Sequence, residues 1–95
     1  MAGSPQRVGD VLGGVIRSLG LEARLDEARA VEAWKEAAGD RVGDATSSVW
    51  ARGDVLYVQL TSAAWRNELH LEREAWRNRV NERIGRALIR EIRFR

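Results

Sequence analysis

Apolar residues recur at three- and four-residue spacing from Val8 through Val11, Leu12, Val15 and Ile16 to Leu19, which is the period of one helix face. Ser4-Pro5 in front of this run supplies a capping side chain and a proline at the first helical position, and Gly20 stops it, so a helix is predicted within residues 1–20. Gly13-Gly14 weakens that helix, since a helical glycine costs up to about 1 kcal/mol relative to alanine. A second helical pattern follows within 22–45: Leu25, Val31, Trp34 and Ala38 form its apolar stripe, Gly39 ends it, and Asp40 to Ala45 adds a short turn. The pattern then changes. Val49-Trp50-Ala51 and Val55-Leu56-Tyr57-Val58-Gln59-Leu60 are β-branched and aromatic runs on either side of Arg52-Gly53-Asp54, which predicts a hairpin over 48–60. Thr61 or Ser62 can cap a long helix over 62–84, with Trp65, Leu69, Trp76, Val80 and Ile84 facing the sheet and Gly85 ending it. Over 88–95, Ile92 and Phe94 alternate with charges, as in a half-buried strand.

The predicted order is therefore α-α-β-β-α-β. Strand, helix and strand in succession form a crossover unit, so the last strand joins the hairpin in a three-stranded mixed sheet. An α+β fold with the helices packed on one face of that sheet is expected. At 95 residues, one domain over 1–95 is the expectation, with Trp65 and Trp76 both buried in its core.

Composition narrows the function more by exclusion than by sign. With no cysteine in the sequence, disulfides, thiolate metal sites and thiol catalysis are excluded together. No apolar run approaches the ~20 residues of a membrane span and the N-terminus lacks the apolar core of a signal peptide, so a cytoplasmic protein is expected. The net charge is only +2, but it is unevenly spread. Residues 1–62 carry seven basic and nine acidic side chains, whereas residues 63–95 carry nine basic and five acidic. All of the basic residues except Lys35 are arginines. A basic C-terminal third points to a polyanion such as nucleic acid, against the plainer reading of a solvated face.

His70 is the single histidine; with no second metal ligand or nucleophilic relay apparent around it, no catalytic or metal site is expected. Arg66, His70, Arg73, Arg77 and Asn81 fall along one edge of the predicted long helix. Arg93 and Arg95 alternate outward from Ile92 and Phe94 on the last strand, with Arg86 and Arg90 close by in sequence. Guanidinium groups suit phosphate because their planar fork donates two parallel hydrogen bonds. The candidate nucleic-acid-binding residues are accordingly Arg66, His70, Arg73, Arg77, Arg93 and Arg95. Trp50 and Tyr57 are candidate partner contacts, and exposed aromatics of this kind also stack on bases. Gly39-Asp40-Arg41-Val42-Gly43 lacks the spacing of the GxxG nucleic-acid clamp, and no phosphate-binding loop is present, so no cofactor and no nucleotide hydrolysis are expected.

Trp34-Lys35-Glu36-Ala37-Ala38-Gly39, then Val55-Leu56-Tyr57-Val58, Ser62-Ala63-Ala64-Trp65-Arg66-Asn67-Glu68-Leu69, Val80-Asn81 and Ile92-Arg93-Phe94, taken in this order, resemble the DciA family. The resemblance covers most of the chain from Val31 onward. It implies a K-homology-like domain, an interaction with the bacterial replicative DnaB-type helicase that assists its recruitment to DNA, and affinity for DNA, which is expected to be weak because few phosphates are within reach of the arginines. The missing GxxG loop means that RNA binding of the GxxG type is not carried over. A non-enzymatic replication accessory protein is the first expectation. The alternatives are a free-standing module for single-stranded nucleic acid, including RNA, with no helicase partner, and a homo-oligomeric structural protein in which Trp50 is covered by a symmetric contact.

Overall fold

The structure, a computed structural model, describes residues 20–95; the helix predicted within 1–20 lies outside the described residues. Helix α1 spans Leu21–Asp44 and is interrupted at Gly39, whose φ of 66° and ψ of −168° lie outside helical space. The helix thus runs to Ala38 and resumes as one further turn, as the glycine led one to expect. Its buried stripe is Ala30, Ala33, Trp34, Ala38 and Val42. This is shifted from the predicted one: Leu25 is exposed and Val31 only half-buried. Small residues at the contact let the helix backbone approach its neighbours closely, and the one large member, Trp34, fills the space between them.

Strand β1 (Thr46–Arg52) begins two residues before the predicted hairpin and pairs antiparallel with β2 (Val55–Leu60), with an irregularity between Thr46 and Ser48. That shift sets the pleat: Val49 and Ala51 face the helices, and Ser48, Trp50 and Arg52 face away. The two-residue turn at Gly53-Asp54 needs positive φ only at its first position, where Gly53 has φ 61°. The Gly53 N–H also donates to Glu27 Oε2 at 2.8 Å, which ties the hairpin tip to α1.

The single long helix expected over 62–84 is two helices, α2 (Ala63–Leu71) and α3 (Arg73–Ile84), separated by Glu72 at φ −105° and ψ 22°. Ser62 caps α2, its Oγ accepting the Trp65 N–H at 3.2 Å. Gly85, at φ 94°, ends α3 and donates its N–H to the Asn81 carbonyl. Strand β3 (Glu91–Phe94) returns parallel to β2 and completes a mixed sheet ordered β1-β2-β3.

The core lies between the helices and one face of this sheet. Leu56, Val58 and Leu60 from β2 and Ile92 and Phe94 from β3 meet Trp34, Leu69, Trp76 and Val80. Trp34 is its centre, with ring centroids 5.1 Å from Trp76 and 5.8 Å from Phe94. Trp76 is buried as predicted, whereas Trp65 is only half-buried and carries the Arg41 guanidinium over its ring at 5.4 Å. The opposite face of the sheet is covered by no described element.

Candidate nucleic-acid interface

The break at Glu72 and the return of β3 create a groove along the free edge of the sheet. The pairing order leaves β3 with one neighbour, β2, and the α2–α3 junction stands beside its other side. A cavity of about 430 Å³ opens there, lined by His70, Arg73 and Arg77 from the helices, by Arg93 and Arg95 from the sheet edge, and by Arg90 just before it. Five of the six candidate nucleic-acid residues are thus brought to one place by two segments about twenty residues apart in sequence. Arg66 is exposed on α2 but does not line the groove. Asn81, which shares the predicted polar edge, points instead at the α3–β3 connection, where its side chain bonds both backbone polar groups of Ile89.

The arginines are not equivalent. Arg90 Nε lies 3.0 Å from Asp54 Oδ2, and Arg93 Nε lies 3.2 Å from Glu91 Oε1. In both cases the hydrogen bond to the carboxylate, reinforced by its charge, pushes the guanidinium pKa above its ordinary value. Arg73, Arg77 and Arg95 make no ion pair among the described residues. Arg73 does donate to the His70 carbonyl at 3.1 Å, placing a cation at the C-terminus of α2, where the helix dipole favours it. Its guanidinium carries five N–H donors, so this one bond leaves others free for an anion. Glu74 and Glu91 also border the groove and hold its positive charge below the arginine count. Ile92 and Phe94 contribute apolar atoms to the floor.

Arg90 is the groove residue that the sequence reading did not select. Its signal was position, four residues before Phe94 in an arginine-rich tail; the parity of the strand hid it, because Arg90 lies just before β3 rather than in it.

Trp50 and Tyr57 lie together on the uncovered face of the sheet. They are direct cross-strand partners, with rings 5.4 Å apart and planes within 3° of parallel. Tyr57 also pairs with Arg93 of β3, and the guanidinium groups of Arg93 and Arg95 stand 5.8 and 5.0 Å from its ring centroid. This aromatic pair is separate from the groove but touches it through the two arginines.

Among the described residues no cluster of histidine and acidic side chains could hold a metal ion, and no helix is long and apolar enough to cross a membrane. The fold and its basic edge define a small α+β domain with a surface suited to a polyanion. A protein-family model described as "DciA: Dna[CI] antecedent, DciA" matches residues 7–94, so the chain belongs to the DciA family. Membership carries a role in DNA replication associated with the DnaB-type replicative helicase. No curated protein matches the chain.

Proposed function

We propose that this protein is a non-enzymatic replication accessory factor of the cytoplasm that binds the replicative DnaB-type helicase and assists its recruitment to DNA. The helicase half of this reading rests on family membership. The DNA half rests on one observation: His70, Arg73, Arg77, Arg93 and Arg95 line a single groove, and three of those arginines have no carboxylate partner among the described residues.

An open basic groove of this size grips a backbone by charge and contacts few phosphates. Binding is therefore weak, sensitive to salt and tolerant of sequence. Arg66, one turn before His70 on α2, extends the positive path beyond the groove. The protein positions helicase and DNA relative to each other, and the hydrolysis of nucleotide belongs to the helicase.

Co-elution of the purified protein with its cognate helicase, with and without single-stranded DNA, tests the reading. A complex that forms without DNA and persists when a single strand is added supports it. Recovery of nucleic acid but no helicase supports instead a free-standing binding module.

A further inference from the structure

The uncovered sheet face carries a row of side chains that lie outside the core. Trp50, Tyr57 and Arg93 sit directly opposite one another on β1, β2 and β3. They form a ladder perpendicular to the strands and about 10 Å long, two inter-strand spacings. Arg93 and Arg95 cover the Tyr57 ring on the β3 side, and the parallel Trp50 ring lies on its β1 side. Tyr57 is thus held between its neighbours, whereas Trp50 has Tyr57 as its one ring partner and no cation over its ring among the described residues. Trp50 is 38% exposed, although it is one of the largest apolar side chains in the molecule.

The surroundings of this ring favour a nucleobase over a protein partner. Among the described residues the other large exposed apolar side chains, Leu21, Leu25 and Leu71, belong to helices. On the sheet face Ser48, Arg52 and Gln59 flank the Trp50–Tyr57 pair, with Val55 the one apolar neighbour of the same parity and Glu91 the one acid. A protein hot spot draws its strength from apolar neighbours that exclude water. An aromatic with basic groups around it is instead the arrangement that combines base stacking with phosphate attraction. Arg93 and Arg95 also border the groove, so one strand of nucleic acid can pass from the groove over the edge of β3.

We propose that this face is a platform selective for single strands: an unpaired base stacks on Trp50 while Arg95, which makes no ion pair among the described residues, holds an adjacent phosphate at the sheet edge. A duplex keeps its bases inside the helix and can use only the arginines. The proposal rests on the reading that this protein binds nucleic acid, and it names the strand form that the protein prefers.

The test is fluorescence anisotropy with a short labelled oligothymidylate and a labelled duplex of the same length, using the full chain at low salt. The parent is expected to bind the single strand more tightly. Trp50→Ala is expected to weaken single-strand binding by about 5- to 150-fold, the worth of one aromatic–base stack, and to leave duplex binding unchanged. Trp50→Phe should retain most of the affinity because it keeps a ring. Trp50 lies on the surface, and a thermal melt confirms that each variant is folded. Equal losses on single strand and duplex, or no loss on either, would overturn the platform while leaving the basic groove in place. So would a Trp50→Ala protein that releases the helicase but binds the oligonucleotide normally, since the face would then be a protein contact. A parent that binds neither probe would overturn the platform together with the DNA half of the proposed function.

Discussion

Asn81 holds Ile89 by both of its backbone polar groups: Asn81 Oδ1 accepts the Ile89 N–H at 2.8 Å, and Asn81 Nδ2 donates to the Ile89 carbonyl at 2.9 Å. This bidentate contact locks the connection after α3 and sets where β3 begins. The positions of Arg90, Arg93 and Arg95 opposite Arg73 and Arg77 follow from it.

Replacing Asn81 by alanine strands a donor and an acceptor in a partly buried place. A loss of about 2–4 kcal/mol of stability is expected, since each unsatisfied group costs roughly 1–3 kcal/mol. Asn81→Asp keeps the acceptor but sets a carboxylate oxygen against the Ile89 carbonyl, so at neutral pH its loss should be at least as large as that of alanine. Urea denaturation of the three proteins measures the order; an alanine variant as stable as the parent would show that the contact does not fix the connection.

The tryptophans should separate by depth. Trp76→Ala removes a ring packed on Trp34 and is expected to cost about 3–5 kcal/mol. Trp65→Ala, at a half-buried position, is expected to cost clearly less. Trp76→Phe should be far milder than Trp76→Ala, because the buried indole Nε1 has no hydrogen-bond partner to lose. Thermal melts would contradict this picture if Trp65→Ala proved the more damaging change.

Two glycines of α1 should respond in opposite directions to the same substitution. Gly39 sits at φ 66° and ψ −168°, a region almost confined to glycine, so Gly39→Ala should destabilise by about 1–3 kcal/mol although open space surrounds the new methyl. Gly43 has no positive φ and nothing within 4 Å of an added Cβ. Gly43→Ala should therefore stabilise by about 0.5–1 kcal/mol through the smaller entropy of the unfolded chain. Paired denaturation curves check both signs.

These contrasts show which physical signals the chain carries openly. Gly39, Gly53 and Gly85 punctuate the backbone at the expected places because positive φ is a local demand that the residue itself advertises. The alternation of Ile92 and Phe94 with charges reports a one-sided strand correctly, and the crossover rule then joins it to the hairpin. The division between α2 and α3 was not legible. Neither Leu71 nor Glu72 breaks a helix by propensity, and the apolar period continues across them from Leu69 to Trp76. The depth of Trp65 was hidden for a related reason: spacing assigns a residue to a face, but the short α2 reaches only part of the sheet. In the groove, the helix spacing of His70, Arg73 and Arg77 was visible, whereas their meeting with Arg93 and Arg95 depends on tertiary structure. That juxtaposition is made by the parallel return of β3 and by Asn81, a side chain read as part of a polar surface.

The most direct test of the basic groove is the salt dependence of single-stranded DNA binding by the parent and by an Arg77→Glu, Arg95→Glu double variant. These two arginines are chosen because neither makes an ion pair among the described residues, so their reversal should change the melting temperature little. For about three to five phosphates neutralised, the parent should show a log–log slope of roughly −2 to −4. The double variant should bind too weakly to measure while melting like the parent. A folded double variant that binds with the parent's affinity and slope would contradict the account and leave the groove as a solvated edge of the sheet.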